Sequence, residues 1–189
     1  MVYLKNSPVG LDIPIQKYQQ FLYNELKSIW PVDDTSMEGY GRCYRSLGTE
    51  GNTPQVFVAS AALNNTLYKD AEFVDDVHKA VFFFVAGDSN KYDHGDNTAR
   101  VSVIFMVNAA LLKPSIQHRA DEEIRLDVMR LALRRTENFE MTEVVTGIRN
   151  VFAEFDGWLK TDQVVYRDNH PLHCFRINYS VTYDMNSCN

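Results

Sequence analysis

The chain has 189 residues, of which 45% are hydrophobic and 23% are charged, so it can bury a sizeable core and is not a disordered segment. Its formal net charge of −6 argues against a protein that coats nucleic acid through a general basic surface. Three cysteines with no Cys-x-x-Cys spacing fit a reducing compartment better than a disulfide framework. The opening residues lack a secretory-signal pattern, and the longest apolar run is too short for a membrane helix. We therefore expect a soluble protein that is made in the cytoplasm.

The first predicted elements are a short extended arm over residues 1–11 and one helix over about 14–30. Apolar residues recur at intervals of three and four between Ile15 and Ile29, which predicts a single buried helical face. Asp12 is the candidate N-cap, and Pro31 would end the helix. A loop over 31–41 should follow, and then a strand pair at about 42–47 and 55–60 with turn residues between them.

Two long apolar segments dominate the middle of the chain, and they predict a central hairpin over about 79–112. Both are rich in β-branched and aromatic residues, as in Val81–Val85 and Val101–Val107. The polar stretch 88–98 between them predicts a long loop that projects from the domain. Together with the preceding strand pair, the hairpin predicts an antiparallel meander of four strands.

Helical and strand patterns follow the hairpin. Residues 115–159 predict a helical pair, strongest at 120–135 and then over about 141–159. Two strands are expected at the end of the chain, over 163–167 and 172–184, and the second alternates apolar and polar residues. The sequence thus predicts a single α+β domain over residues 1–189, with a mainly antiparallel sheet. Its core should include Phe83, Phe105, Ile148 and Phe175.

No pattern in the chain is typical of a metal or cofactor site, so no cofactor is predicted. In the stretch 88–98 the oxygen-bearing side chains suggest calcium, but an EF-hand needs Gly at loop position 6 and Glu at position 12. Asp93 and Ala99 stand there instead. His170, His173 and Cys174 lack a fourth ligand at a spacing typical of structural zinc.

Nucleophilic catalysis has one candidate arrangement, Cys174 with His170 or His173. The chain contains no G-x-S-x-G, H-E-x-x-H or P-loop motif. Arg130, Arg134 and Arg135 could touch DNA phosphates, although a position at a helix C-terminus already explains basic residues there.

The order of elements resembles the tail-terminator and tail-completion proteins of tailed bacteriophages. The resemblance covers helix, strand pair, long hairpin, helical segment and C-terminal strand, and includes the N-terminal stretch Val9–Asn24. The Tyr- and Asn-rich composition is similar to that of structural proteins from the crAss-like phages. The resemblance is one of architecture, without a signature motif.

That resemblance implies a structural virion protein rather than an enzyme. Identical subunits would close a ring of about six or twelve copies at the neck or tail of the particle, through heterologous contacts. The partners would be the protein itself and other neck, portal-associated or tail proteins. DNA would pass through the channel without sequence-specific binding, and no membrane would be involved.

Two surfaces are predicted to make these contacts. The residues are Asp88, Asn90, Tyr92, Asp93, His94 and Asp96 of the polar stretch, and Arg176 and Asn178 on the polar face of the last strand, which is expected near a sheet edge. Two alternatives stay open at this stage. One is a small enzyme or ligand-binding domain that uses a cleft near His173 and Cys174, and the other is a monomeric adaptor.

Overall fold

A computed structural model describes residues 1–47, 54–59, 68–70, 78–93, 96–116, 118–134, 138–153 and 169–184 of the chain. The elements, in chain order, are β1 (Val2–Tyr3), α1 (Asp12–Ile29), β2 (Met37–Arg42), β3 (Tyr44–Leu47), β4 (Pro54–Ala59), β5 (Tyr68–Asp70), β6 (Ala80–Asp93), β7 (Asp96–Asn108), α2 (Ala109–Leu112), α3 (Asp121–Arg134), β8 (Phe139–Thr146), α4 (Ile148–Val151) and β9 (Leu172–Asp184). They form a single α+β domain, as the sequence predicted.

A six-stranded sheet in the order β1-β2-β6-β7-β9-β8 is the centre of the fold. Strands β6, β7, β9 and β8 pair antiparallel, whereas β1, β2 and β6 run parallel to one another. The predicted central hairpin is therefore confirmed, and it occupies the middle of the sheet. The predicted extended arm contributes β1 to the sheet through Val2 and Tyr3.

Helices α1 and α3 cover one face of this sheet, which we call the helical face. Aromatic rings of the strands stack there, with Phe105 and Phe175 4.9 Å apart between centroids and Tyr18 of α1 4.3 Å from Phe139. The predicted face of α1 is correct for Ile15, Tyr18, Leu22 and Leu26, which are buried, and wrong for Ile29, which is 45% exposed. Leu11, rather than Asp12, is the N-cap. Burial of this continuous apolar layer is the main driving force for folding.

The second face of the sheet, called the opposite face, carries a smaller apolar cluster beside α4. Phe83, Ile104, Met106 and Cys174 belong to it. Phe83, Phe105 and Phe175 are buried as predicted, but Ile148 is only partly buried because it packs at the margin of this cluster.

The predicted four-stranded meander is wrong. Strands β3 and β4 do form the expected antiparallel pair, but they join β5 in a separate three-stranded sheet. The partner of β6 is instead β2, within the stretch 31–41 and just beyond it, where a loop was expected. Gly39 explains the close fit, because a Cβ at this position would lie 2.6 Å from the Phe82 ring. Most of the stretch 61–77, for which no element was predicted, lies outside the described residues.

The predicted polar loop over 88–98 is also wrong, because both strands of the hairpin continue through it. Strand β6 extends to Asp93 and β7 begins at Asp96, with a register shift between Ala86 and Asn90. Such a shift in register absorbs extra residues without ending the ladder. The polar residues of this stretch therefore indicate that the strand ends are exposed, not that they form a loop.

The predicted helical pair is half correct. Helix α3 is present and buries Ile124, Val128, Leu131 and Ala132, but the second helix is replaced by the strand β8 and the short helix α4. Consecutive β-branched residues at 144–146 favour a strand, and Gly147 at φ +80° ends it. Residues 154–168, including the predicted strand 163–167, lie outside the described part.

Strand β9 has the predicted bounds but not the predicted place. It lies between β7 and β8, so β8 is the edge of the six-stranded sheet within the described residues. Because β9 is paired on both sides, its backbone is buried. The prediction that β9 lies near an open edge is wrong, since β8 covers that side.

Candidate functional site

The end of the central hairpin gathers the predicted interface residues that lie on β6 and β7. Asp88 is exposed, and Tyr92 is 65% exposed. Asp93 and Asp96 are register partners across the hairpin, and Asp96 is in turn the partner of Asp184 on β9. Aspartates thus occupy three neighbouring positions on three strands. His94 lies outside the described residues.

Two tyrosines, Tyr92 and Tyr183, lie near the start of α1 at this end of the hairpin. Tyr92, Asn97 and Tyr183 are aligned across β6, β7 and β9 by register. A methyl group placed on Gly10 would lie 3.8 Å from the Tyr183 ring, so the chain just before α1 borders this row. The pKa of Tyr183 is raised by partial burial and by the neighbouring Tyr92 hydroxyl. Val9 is 60% exposed. We call Val9, Tyr92, Tyr183 and Asp184, with the register positions of Asp93 and Asp96, the tip surface.

A charged cluster lies next to the tip surface. The buried carboxylate of Asp12 binds Lys5 Nζ at 2.6 Å and Arg42 Nε at 2.8 Å. Burial is the largest single influence on the pKa of Arg42 and lowers it, but the Asp12 carboxylate and the Tyr44 side chain together raise this pKa above its ordinary value. The Arg42 guanidinium also lies 5.0 Å from the centroid of the Tyr44 ring, a cation–π distance. The cluster ties the arm and β2 to the first turn of α1.

The two interface residues predicted on β9 do not face solvent. Arg176 is 6% exposed and Asn178 is 1% exposed, so the expected outward polar face is wrong for this half of the strand. Arg176 Nη1 donates to the carbonyl of Val151 at 3.3 Å. Asn178 accepts from Ser102 Oγ and donates to Glu143 Oε2, each at 2.7 Å. Their side chains hold the opposite face together, and their role in an interface stays a prediction.

His173 and Cys174 are not arranged as a catalytic pair. They are consecutive residues of one strand, so their side chains point to opposite faces of the sheet. The His173 ring stacks near Phe175 at 5.8 Å on the helical face, and its Nδ1 lies 3.5 Å from Arg119 Nη2. Cys174 belongs to the cluster of the opposite face and has no exposed surface. The two side chains of the enzyme alternative therefore lie on different faces of the sheet and do not line one common cleft. His170 is exposed and precedes the strand.

The basic end of α3 is exposed. The side chains of Arg130 and Arg134 are 70% and 69% exposed, and Arg134 Nη1 lies 3.9 Å from Glu25 Oε2 of α1. Arg135 lies outside the described residues. Two leucines, Leu126 and Leu133, accompany the arginines at 36% and 64% exposure.

Within the described ranges, no three His, Cys, Asp or Glu side chains are grouped as metal ligands would be. No helix in that same part of the chain has the length and apolarity needed to cross a lipid bilayer. Comparison of the chain with protein-family models, with curated proteins and with solved structures finds no match.

Sequence reasoning missed Val9, Tyr183 and the exposed leucines of α3 as surface features. Val9 precedes Gly10 in the stretch predicted to be an arm, and Tyr183 falls on the apolar side of the alternating strand 172–184, which predicts burial. The leucines had a detectable signal, because Leu126 and Leu133 fall outside the apolar stripe of α3 when the helix is drawn at 100° per residue.

Proposed function

We propose that the protein is a structural subunit of a tailed bacteriophage. Identical copies would close a ring at the neck, as a tail terminator or head–tail connector, around the channel that DNA crosses. The observation that carries this proposal is the architecture: helices α1 and α3 pack on one face of a mainly antiparallel sheet that is built on a long central hairpin.

The chemistry of the described residues supports a mechanical role. The residue pair proposed for catalysis is split between two faces of the sheet, and the exposed groups at the hairpin end and on α3 are aromatic, aliphatic and charged side chains of the kind that contact proteins. Subunits of a ring must present two different surfaces, since a heterologous contact joins unlike patches.

The net charge of −6 suits a subunit whose ring surrounds moving DNA. Phosphate attraction to a basic lining would retain the DNA, whereas an acidic protein releases it. Other partners would be portal-associated or tail proteins above and below the ring.

The test is to locate the protein in particles. In a phage that encodes this chain, we expect mass spectrometry of purified particles to detect it in a fixed ratio to the portal protein. Electron microscopy should show the protein as a ring between head and tail. Disruption of its gene should give heads and tails that do not join, or tails with irregular ends. Absence of the protein from purified particles would overturn the proposal.

A further inference from the structure

The exposed large hydrophobic side chains of the described residues lie at two ends of the domain. Val9, Tyr44 and Tyr92 lie at the end where α1 begins, close to the tip surface and the Arg42 cluster. Leu126, Leu133, Ile29 and Met1 lie where α1 finishes. Because α1 has 18 residues at about 1.5 Å each, the two ends are about 27 Å apart.

The second end is placed by contacts between α1 and α3. Trp30 Nε1, just after α1, donates to Asp127 Oδ2 of α3 at 3.0 Å. Arg134 Nη1 lies 3.9 Å from Glu25 Oε2, so the C-terminal half of α3 also lies beside α1. Leu126, Arg130, Leu133 and Arg134 are exposed and lie outside the buried stripe of α3, and we call them the α3 surface.

These two surfaces are complementary in chemistry. The tip surface offers tyrosine rings, an exposed valine and a row of aspartate positions, whereas the α3 surface offers leucines and two exposed arginines. Guanidinium groups bind carboxylates and also lie favourably over tyrosine rings. Tyrosine and arginine are the side chains most enriched where proteins meet. The exposed charges of the α3 surface are arginines, with Asp127 and Glu25 at 4.0 and 3.9 Å beside them, and the charged positions of the tip surface are aspartates. Attraction between the two sets favours a contact between unlike surfaces.

Strand addition at β8 is a poorer route to association. Within the described part of the sheet β8 is the edge, but its register shifts between Met141 and Glu143 and it exposes Glu140 and Glu143. A bulge and charged side chains at an edge are features that oppose pairing with another strand.

We propose that the tip surface of one copy docks on the α3 surface of a second copy. Because the two surfaces lie at opposite ends of α1, the contact repeats head to tail and can close a ring. The inference rests on the proposed function only for the expectation that copies associate through unlike surfaces.

The test is site-directed cross-linking of the full-length chain. In a background with Cys188→Ser, which leaves the buried Cys43 and Cys174, Tyr92→Cys on a chain with one tag is mixed with Leu133→Cys on a chain with another. With a short bismaleimide, we expect the mixed pair to form at least about ten times more cross-linked dimer than either variant alone. The matched control is Tyr92→Cys mixed with Arg149→Cys, an exposed position on α4 at the opposite face. The use of up to about 1 mM protein allows the cross-linker to capture contacts with a Kd as weak as about 1 mM.

Charge reversal provides the second readout. Arg130→Glu with Arg134→Glu should reduce the mixed cross-link at least about tenfold, whereas Arg149→Glu should not change it. A mixed cross-link no stronger than the Arg149→Cys control, or one that survives the double reversal, would overturn the inference. If the chain still forms a neck ring in that case, only the assignment of surfaces fails; if the cross-link forms but the protein is absent from particles, the proposed function fails and the docking surfaces remain.

Discussion

The two faces of the six-stranded sheet are built in different ways. The helical face is an apolar layer in which stacked rings such as Phe105 and Phe175 meet α1 and α3. The opposite face buries polar groups among its apolar residues, including Glu38, Ser102, Arg176 and Asn178. The first face is stabilised mainly by apolar burial, together with buried hydrogen bonds such as that between the Tyr18 and Tyr179 hydroxyls. The second depends more on hydrogen bonds, because a buried polar group without a partner is costly.

The largest loss of stability is expected from a substitution in the core of the helical face. Phe105→Ala should lower the free energy of unfolding by about 3–5 kcal/mol, because the ring is 1% exposed and its removal leaves a cavity between the rings of Phe82 and Phe175. Urea denaturation followed by circular dichroism measures this. Ile29→Ala, at a 45% exposed position, is the control and should change stability by less than about 0.5 kcal/mol. Equal effects of the two substitutions would show that the hairpin does not form the core.

The next effect concerns the buried carboxylate of the opposite face. Glu38 accepts from the Tyr3 hydroxyl at 2.7 Å and from the Tyr40 hydroxyl at 2.6 Å. Tyr40→Phe keeps the ring but removes one donor to a buried charge, so we expect a loss of about 1.5–3 kcal/mol in the same denaturation assay. Tyr92→Phe removes the hydroxyl of a ring that is 65% exposed and whose partner is Tyr183 at the surface, so it should cost less than about 0.5 kcal/mol. If Tyr40→Phe were also neutral, the carboxylate would not depend on this hydrogen bond.

A smaller effect is expected at the polar bridge between β7, β9 and β8. Ser102→Ala removes the donor to Asn178 Oδ1 and should cost about 1 kcal/mol. The measurement is a double-mutant cycle with Glu143→Gln, because Glu143 Oε2 accepts from Nδ2 of the same Asn178 side chain. Strictly additive effects would mean that Asn178 does not couple the two strands.

The smallest effect depends on pH and belongs to the helical side, at the end of α1. Hydrogen bonds from Thr35 and Ser36 lower the pKa of Asp33, and hydrogen bonds from Lys27 and Tyr23 lower the pKa of Asp34. A carboxyl group whose pKa is lowered by folding stabilises the native state above its ordinary pKa of about 3.9, and this contribution is lost as the pH falls below that value. Stability should therefore decline from about pH 4 downwards.

Replacement of both carboxyl groups isolates this contribution. The Asp33→Asn, Asp34→Asn variant should lose stability less steeply than the natural chain between about pH 4 and pH 2, as measured by urea denaturation at each pH. Parallel declines in the two proteins would assign the acid sensitivity to other groups, such as those of the opposite face.

The helical face was largely predictable from the sequence, and the opposite face was not. Intervals of three and four residues locate the buried side of α1, and alternation locates Phe175 and Ile177 on one side of β9. Alternation separates two faces but does not say which of them meets solvent, so Arg176 and Asn178 were wrongly assigned to the outside. The helix predicted over 141–159 is wrong at its start, because the β-branched residues 144–146 favour a strand and β8 pairs with β9.

The candidate site was predictable in part. Tyr92 and the aspartates of the hairpin were identified from composition, and the structure places them at one end of the sheet. Tyr183 and Val9 join them only through strand register and the approach of Gly10, which are long-range relations that no local pattern contains.

The pairing of the central hairpin has a consequence for the order of folding. Strands β6 and β7 are neighbours in sequence, but the other partner of β7 is β9, so that Asp96 aligns with Asp184 and Asn108 with Leu172. On the ribosome, the hairpin is synthesised well before β9 and therefore begins with one long apolar edge uncovered. Such edges are the sites at which nascent chains aggregate, and non-local pairings of this kind form slowly. The yield of folded protein should thus depend on the delay between the synthesis of β7 and its pairing with β9. Low temperature and a greater supply of chaperones should therefore raise this yield more than substitutions on the surface of the folded protein.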